Sequence, residues 1–355
     1  MEFQIDFMFS GFLQVCDVMA QDCQIMVGEQ GMEEFTEMSN LWFSFNAIAP
    51  VFLLVGIGWL ARKLGWVNES FVDSSCKLNF RTGLPALLFI NIYQQESANF
   101  IDWTFVGFMV GVSFAVALIL FFTIPRFVRD KSKASAMIHT ILKPNILVLG
   151  YPLAVMIFGT KNSAAMSALL PALVLFNNIV AVLILYALDP RNRDVQSHSI
   201  IKSLISILKN PIVLSAIIAI IVKRLSISLP PFLVTLLSSL SEMATPLALI
   251  TLGAQMTMEA IFKDRKYVAF ATVCKVLLTP LVVVPFAYSF GFRSYELATA
   301  FIVAASPSAV NSYMLAREMH SDEVLTGEII LSSTLCSMFV LFVGIFLLKS
   351  LAIIS

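Results

Sequence analysis

The chain has 355 residues, 58% hydrophobic and only 13% charged, with 23 Lys and Arg against 23 Asp and Glu and a mean hydropathy of +0.86. A soluble globular protein carries about 25% charged residues, so the composition excludes a solvated domain and places the chain in lipid. Zero net charge and the lack of basic–aromatic interleaving exclude a nucleic-acid partner.

Residues 1–40 differ in character from the rest of the chain. They contain acids but no Lys or Arg, and they lack the positive n-region and apolar core of a signal peptide. Two readings stay open: an interfacial tail, with Gly11–Val18 forming one or two amphipathic turns, or an upstream over-extension of a chain starting at Met38.

From Leu41 the apolar signal is nearly continuous. Cut into lengths of about 20 residues, it predicts spans near 41–61, 76–94, 103–125, 136–158, 164–188, 204–223, 231–254, 267–290, 295–315 and 324–349. Basic residues alternate across these spans. Arg62, Lys63, Lys77, Arg81, Arg126, Arg129, Lys131, Lys133, Arg191, Arg193, Lys202, Lys209, Lys263, Arg265, Lys266 and Arg317 fall on one side. Lys161, Lys223, Arg224, Arg293 and Lys349 fall on the other. The positive-inside rule makes the richer side cytoplasmic and both termini extracytoplasmic, in a plasma or bacterial inner membrane. Trp42, Trp59, Trp66 and Trp103 fit interfacial anchors.

Two spans carry helix breakers at their centres. Leu142–Gly159 (LKPNILVLGYPLAVMIFG) holds Pro144, Asn145, Gly150 and Pro152; Ala304–Ala316 (AASPSAVNSYMLA) holds Ser306, Pro307, Ser308 and Asn311. Hydrocarbon tolerates a broken backbone only under cover of protein or a water-filled cavity, and paired interrupted helices point to a carrier's binding site. TGLPALLF (Thr82–Phe89) and TPLALITLG (Thr245–Gly253) recur at nearly the same offset as the two breaks. The expected fold is thus an all-α integral membrane protein of ten transmembrane helices in two inverted five-helix repeats, 41–190 and 210–350. A short cytoplasmic connection, 191–209, joins them, and helices four and nine are broken.

PNILVLGYPLAVMIFG, LALITLGAQM, and AASPSAVNSYMLAREM followed by STLCSMFV are similar to the auxin efflux carrier family, which includes plant auxin carriers and bacterial permeases for malonate and malate. The resemblance covers roughly residues 42–350. It implies a scaffold of helices 1, 2, 6 and 7 and a transport domain of helices 3–5 and 8–10, with helices four and nine crossing at their breaks. Pro144 and Asn145 match the first crossover and Pro307 the second. The short central connection resembles a compact permease more than a large plant carrier.

The candidate substrate-binding residues are Pro144, Asn145, Ser306, Pro307, Ser308, Asn311 and Lys275. Interrupted helices expose backbone N–H groups that attract anions, and the amide and hydroxyl side chains add donors. Lys275, well inside a span, neutralises an anionic substrate or pairs with Glu242 or Glu328. Lys143, Glu242, Glu328 and Asn178 are candidates for gating or coupling; Asn177 and Asn178 either bond between helices or line the path. The expected function is secondary active or facilitative transport of a small organic anion by alternating access, with H+ or Na+ as coupling ion and no other cofactor.

Lipid and a second copy of the chain are the expected partners. The alternatives are a sodium-coupled carrier of the bile-acid type and a receptor that transports nothing. The scattered Cys16, Cys23, Cys76, Cys274 and Cys336 and the isolated His139, His198 and His320 suit neither a disulfide framework nor a metal site. With no GxxxxGK[ST], HExxH or GxSxG motif, the chain is not expected to be an enzyme.

Overall fold

The computed structural model describes residues 29–94, 102–188, 211–255, 264–319, 321–351 and 353. The expected tail, apart from residues 29–40, and the expected central connection lie outside the described residues. The described chain is all-α. It runs α1 (Glu29–Lys63), α2 (Glu69–Leu78), a π turn (Asn79–Gly83), α3 (Leu84–Tyr93), α4 (Trp103–Phe127), α5 (Lys131–Leu142), a π turn (Ile146–Gly150), α6 (Tyr151–Asn162) and α7 (Ala164–Leu188). The second part holds α8 (Pro211–Arg224), α9 (Pro231–Gln255), α10 (Arg265–Val273), a π turn (Cys274–Leu278), α11 (Thr279–Ser289), α12 (Ser294–Ala305), α13 (Ser312–Glu318) and α14 (Glu323–Ser350).

Short polar side chains open several of these helices. Asn68, Asp102, Asp130 and Asp322 each precede a helix and accept backbone N–H groups from its first turn, filling valences that the helix leaves empty. Pro85, Pro152 and Pro280 sit in first turns, where a missing N–H costs nothing.

Among the described residues, six helices are long and apolar enough to cross a membrane: Met38–Lys63, Trp103–Phe127, Ala165–Leu188, Pro231–Gln255, Arg265–Ser289 and Glu323–Ser350. This corrects the expectation of ten transmembrane helices in two inverted five-helix repeats. The stretch expected at 76–94 divides between polar α2, a π turn and α3, which has only 10 residues. The stretches at 136–158 and 295–315 are interrupted, leaving α5, α6 and α12 at 12 residues each. Of 204–223, the described helix α8 starts at Pro211 and has 14 residues. At 1.5 Å per residue such pieces reach roughly 20 Å, short of a hydrocarbon core of about 30 Å.

Packing gathers the helices into two neighbourhoods. In the first, α1 lies along α9, and α3 packs on α8 and α9. Gly58 and Gly253 make the α1–α9 contact possible. A Cβ on Gly58 would stand 1.9 Å from the Ile250 carbonyl oxygen, and one on Gly253 would stand 1.9 Å from that of Val55. Small residues of this kind let two backbones touch inside a membrane. In the second neighbourhood, α5 packs against α4, α7 and α14, while α10 also packs against α14. Leu53, Ile57, Phe114, Ile119, Phe122, Leu281, Val282 and Phe339 face outward and exposed, as a surface bathed in lipid tails requires.

Candidate functional site

The two breaks lie against each other. α5 ends at Leu142, and Lys143 (φ −93, ψ 95) turns the chain out of the helix. α12 ends at Ala305 because Ser306 precedes a proline and takes φ −58, ψ 140. The two extended segments cross antiparallel, with Pro144 opposite Ser308. The Asn145 N–H donates to the Pro307 carbonyl at 2.7 Å, and the Ala309 N–H donates to the Lys143 carbonyl at 2.8 Å. The Ser308 N–H donates to Ser333 Oγ of α14 at 3.1 Å. Protein thus satisfies backbone groups that the breaks would otherwise orphan. A ligand at the crossing meets side chains of both breaks.

Those side chains face a cavity of about 570 Å³ between the crossing, α2, the first π turn, α7 and α9. Three cations line it: Lys143 at the crossing, buried, and Lys77 and Arg81 nearer the exposed mouth. Asn79, Asn145, Asn177, Asn178, Asn311, Thr251 and Gln255 supply amides and a hydroxyl, and Leu173, Val174, Leu252 and Val310 supply apolar wall. Among the described residues the lining contains no Asp or Glu. Asn145 Nδ2 and both side-chain polar atoms of Asn177 are buried without a hydrogen-bond partner. Among the described residues no carboxylate pairs with Lys143. Unsatisfied buried polar atoms are rare in proteins; here they belong to residues of the cavity wall.

The sequence-predicted residues divide accordingly. Lys143, Pro144, Asn145, Asn178 and Asn311 line the cavity together, although Asn178 spends its Nδ2 on the Val174 carbonyl at 2.7 Å. Ser306, Pro307 and Ser308 build the crossing and do not line the cavity. Ser306 is wholly buried, donates to the Ile302 carbonyl at 2.6 Å and abuts Gly150. Lys275 is buried in the third π turn, which packs on α12 and α14, away from the cavity wall. Glu328 is buried on α14, and Glu242 lies on the exposed face of α9; neither lines the cavity.

Sequence reasoning missed Lys77 and Arg81 as lining residues and used them only for orientation. Their spacing of four on a helix that enters an apolar run puts both on one face, and that was the available signal. At the mouth, the Gln255 amide donates to Cys76 Sγ at 2.9 Å, joining α9 to α2.

A separate polar chain is buried beyond the cavity. Asn91 Nδ2 of α3 donates to the Tyr151 hydroxyl of α6, which lies 3.2 Å from Ser167 Oγ of α7. Ser167 Oγ in turn donates to the Ser163 carbonyl at 3.0 Å. None of these four residues lines the cavity.

Comparison with known proteins agrees with a carrier. A family model described as membrane transport protein matches residues 43–345. An uncharacterized transporter of Methanothermobacter thermautotrophicus is 22% identical over 300 residues, covering 83% of this chain and 95% of that protein. The uncharacterized transporter YfdV of Escherichia coli K12 is 21% identical over 279 residues, covering 78% of this chain and 88% of its own length.

Proposed function

The chain belongs to the membrane transport protein family, that of the auxin efflux carriers, and from that premise we propose that it carries small carboxylates by alternating access. One observation carries this reading: a cavity at the crossed breaks that holds three cations and several amides and, among the described residues, no acid. A carboxylate placed there meets Lys143 as a point charge and Asn145 Nδ2 as a free donor. Leu173, Val174, Leu252 and Val310 suit an apolar body on the same molecule, and the volume suits a small-molecule ligand. A binding energy drawn largely from one buried ammonium and a few amides favours the anion over its neutral analogue, because the ammonium left unpaired is costly.

In this reading α1–α3, α8 and α9 form the scaffold, and α4–α7 with α10–α14 form the moving part. The cavity mouth, at Lys77, Arg81 and Gln255, lies at the same end as Arg62 and Lys63, because the C-terminal parts of α1 and α9 touch at Gly58 and Gly253. That end carries the basic excess, so the mouth opens to the cytoplasm. Movement of the crossing against α3 and α9 would close it and open the opposite end, where Asn91, Tyr151 and Ser167 now meet.

The test is binding by the purified protein of malonate, malate, indole-3-acetate and benzoate, each beside its amide. An acid should bind and its amide should not. Asn145→Ala should weaken that acid about tenfold, the cost of losing one charge-assisted hydrogen bond, and Lys143→Met should weaken it more. Equal binding of acid and amide, or variants that bind as the parent does, would refute the assignment.

A further inference from the structure

We propose that His139 is the binding site of a coupling proton, taken up together with the substrate anion. The inference rests on the carboxylate reading above and adds to it the ion that accompanies the substrate.

His139 lies in the last turn of α5 and is wholly buried. Its two ring nitrogens both face backbone carbonyl oxygens: Nδ1 is 2.8 Å from Ser135 O, and Nε2 is 3.3 Å from Ser312 O. A neutral imidazole has one N–H and one lone pair, so it satisfies one of these oxygens and turns a lone pair on the other. The doubly protonated ring donates to both. Ser135 belongs to α5, and Ser312 opens α13, just after the second break. A proton on His139 therefore bonds one broken helix to the other.

What opposes the proton is burial of the ring first, and charge second. Lys143 follows one helical turn later and lines the cavity. A second positive charge at that distance is repelled while the Lys143 ammonium stands unpaired. A carboxylate bound against Lys143 cancels the repulsion, so the anion promotes protonation and the proton promotes anion binding, reciprocally. The remaining charged groups on neighbouring helices are few. α7 has none, and α4 brings Arg126, which bonds its own Phe122 carbonyl. α10 brings Arg265 and Lys266, both exposed, and just before it Asp264 is paired with Lys133. The third π turn brings Lys275, and α13 brings Glu318 and Arg317, the latter paired with Glu323 at the start of α14. Glu328, farther along α14, is the buried carboxylate among them and the rival site for a proton.

Two measurements decide between them. The first uses 15N-labelled histidine in a His198→Gln/His320→Gln chain in lipid nanodiscs, which leaves His139 as the only imidazole. Ring nitrogen shifts then report the doubly protonated share between about pH 5 and 8. At fixed pH, benzoate or malonate should raise the ratio of doubly to singly protonated ring about tenfold, and Lys143→Met should do the same with no anion present. A ring that stays singly protonated throughout, with and without the Lys143 ammonium, overturns the proposal. If no carboxylate binds, the substrate reading fails by itself, and the Lys143→Met comparison still decides the proton site.

The second measurement is carboxylate uptake into proteoliposomes under an imposed pH gradient. His139→Gln should still bind benzoate, without the parent's strengthening at low pH, and lose the response to the gradient. An unchanged response in His139→Gln, with loss in Glu328→Gln, assigns the proton to Glu328 and overturns the proposal.

Discussion

At the scale of single residues, the closest tolerances in the molecule are where backbones touch. Gly58 and Gly253 leave no room for a side chain, because the atoms that a Cβ would meet are carbonyl oxygens that cannot turn aside. Gly253→Leu should therefore force α1 from α9 and cost about 3 kcal/mol, the upper end of overpacking penalties, read as a lowered unfolding midpoint in detergent. Gly56 has nothing within 4 Å of its Cβ position, so Gly56→Ala should leave the midpoint unchanged or slightly raised. Asn145 shows what a sequence reveals at this scale. It follows a proline inside an apolar run, where an amide has no business unless a break needs it, and the residue indeed lines the cavity. Lys77 and Arg81 were equally visible as residues, but their role depends on a long-range meeting with α7 and α9 that local pattern does not encode. Lys275, which does not line the cavity, shows the converse: depth in a span is legible, and the direction a helix face takes is not.

At the scale of elements, two polar features make helices depend on one another. The first is the start of α4, where Asp102 accepts the amides of Thr104 at 2.7 Å and Phe105 at 3.2 Å. Burial pushes the Asp102 carboxyl up, but the amides of Phe105 and Thr104 outweigh it and hold the group below its ordinary value. Glu296, in the first turn of α12, is pushed up by burial and by its hydrogen bond to Asp102. A depressed carboxyl stabilises the fold above its unfolded value, and that contribution disappears as pH falls through the folded one. Asp102→Ala should then cost about 1 kcal/mol near neutral pH and progressively less in acid. Asp102→Asn should keep the cap and flatten the acid limb of a stability–pH curve. The second feature is the Asn91–Tyr151–Ser167 chain, which ties α3 to α6 and α7. Removing the hydroxyl in Tyr151→Phe leaves a buried amide unsatisfied and should cost about 1–3 kcal/mol. In a double-mutant cycle with Asn91→Leu the two losses should fall short of adding, by roughly 1 kcal/mol; full additivity would show that the pair does not couple.

At the scale of the whole molecule, hydropathy and breakers together located more than either did alone. Long apolar runs became α1, α4, α7, α9, α10–α11 and α14, which stay helical over a membrane's width although Pro50, Pro171 and Pro246 lie within α1, α7 and α9. The count of ten failed where apolar composition was treated as continuous helix. At Pro144 and Pro307 the backbone leaves the helix, and at Asn79–Gly83 a π turn divides a polar from an apolar half. The pairing of the two breaks was suggested by family resemblance and is set physically by two hydrogen bonds across the crossing. That crossing puts the buried Lys143 at the cavity's wall while Lys77 and Arg81 stand exposed toward the mouth. Exposed charges at a cleft raise the local concentration of an oppositely charged substrate, and salt screens them over about 10 Å at 0.1 M. Lys77→Gln combined with Arg81→Gln should therefore raise KM for a transported carboxylate several-fold and leave kcat near its original value. The same double variant should lose most of the parent's sensitivity to added salt. Lys143→Met should behave differently, depressing uptake at every salt concentration, because a buried ammonium is screened little and binds the substrate directly. If all three substitutions produced the same salt-dependent loss, the division of the cavity into a steering mouth and a binding end would be wrong.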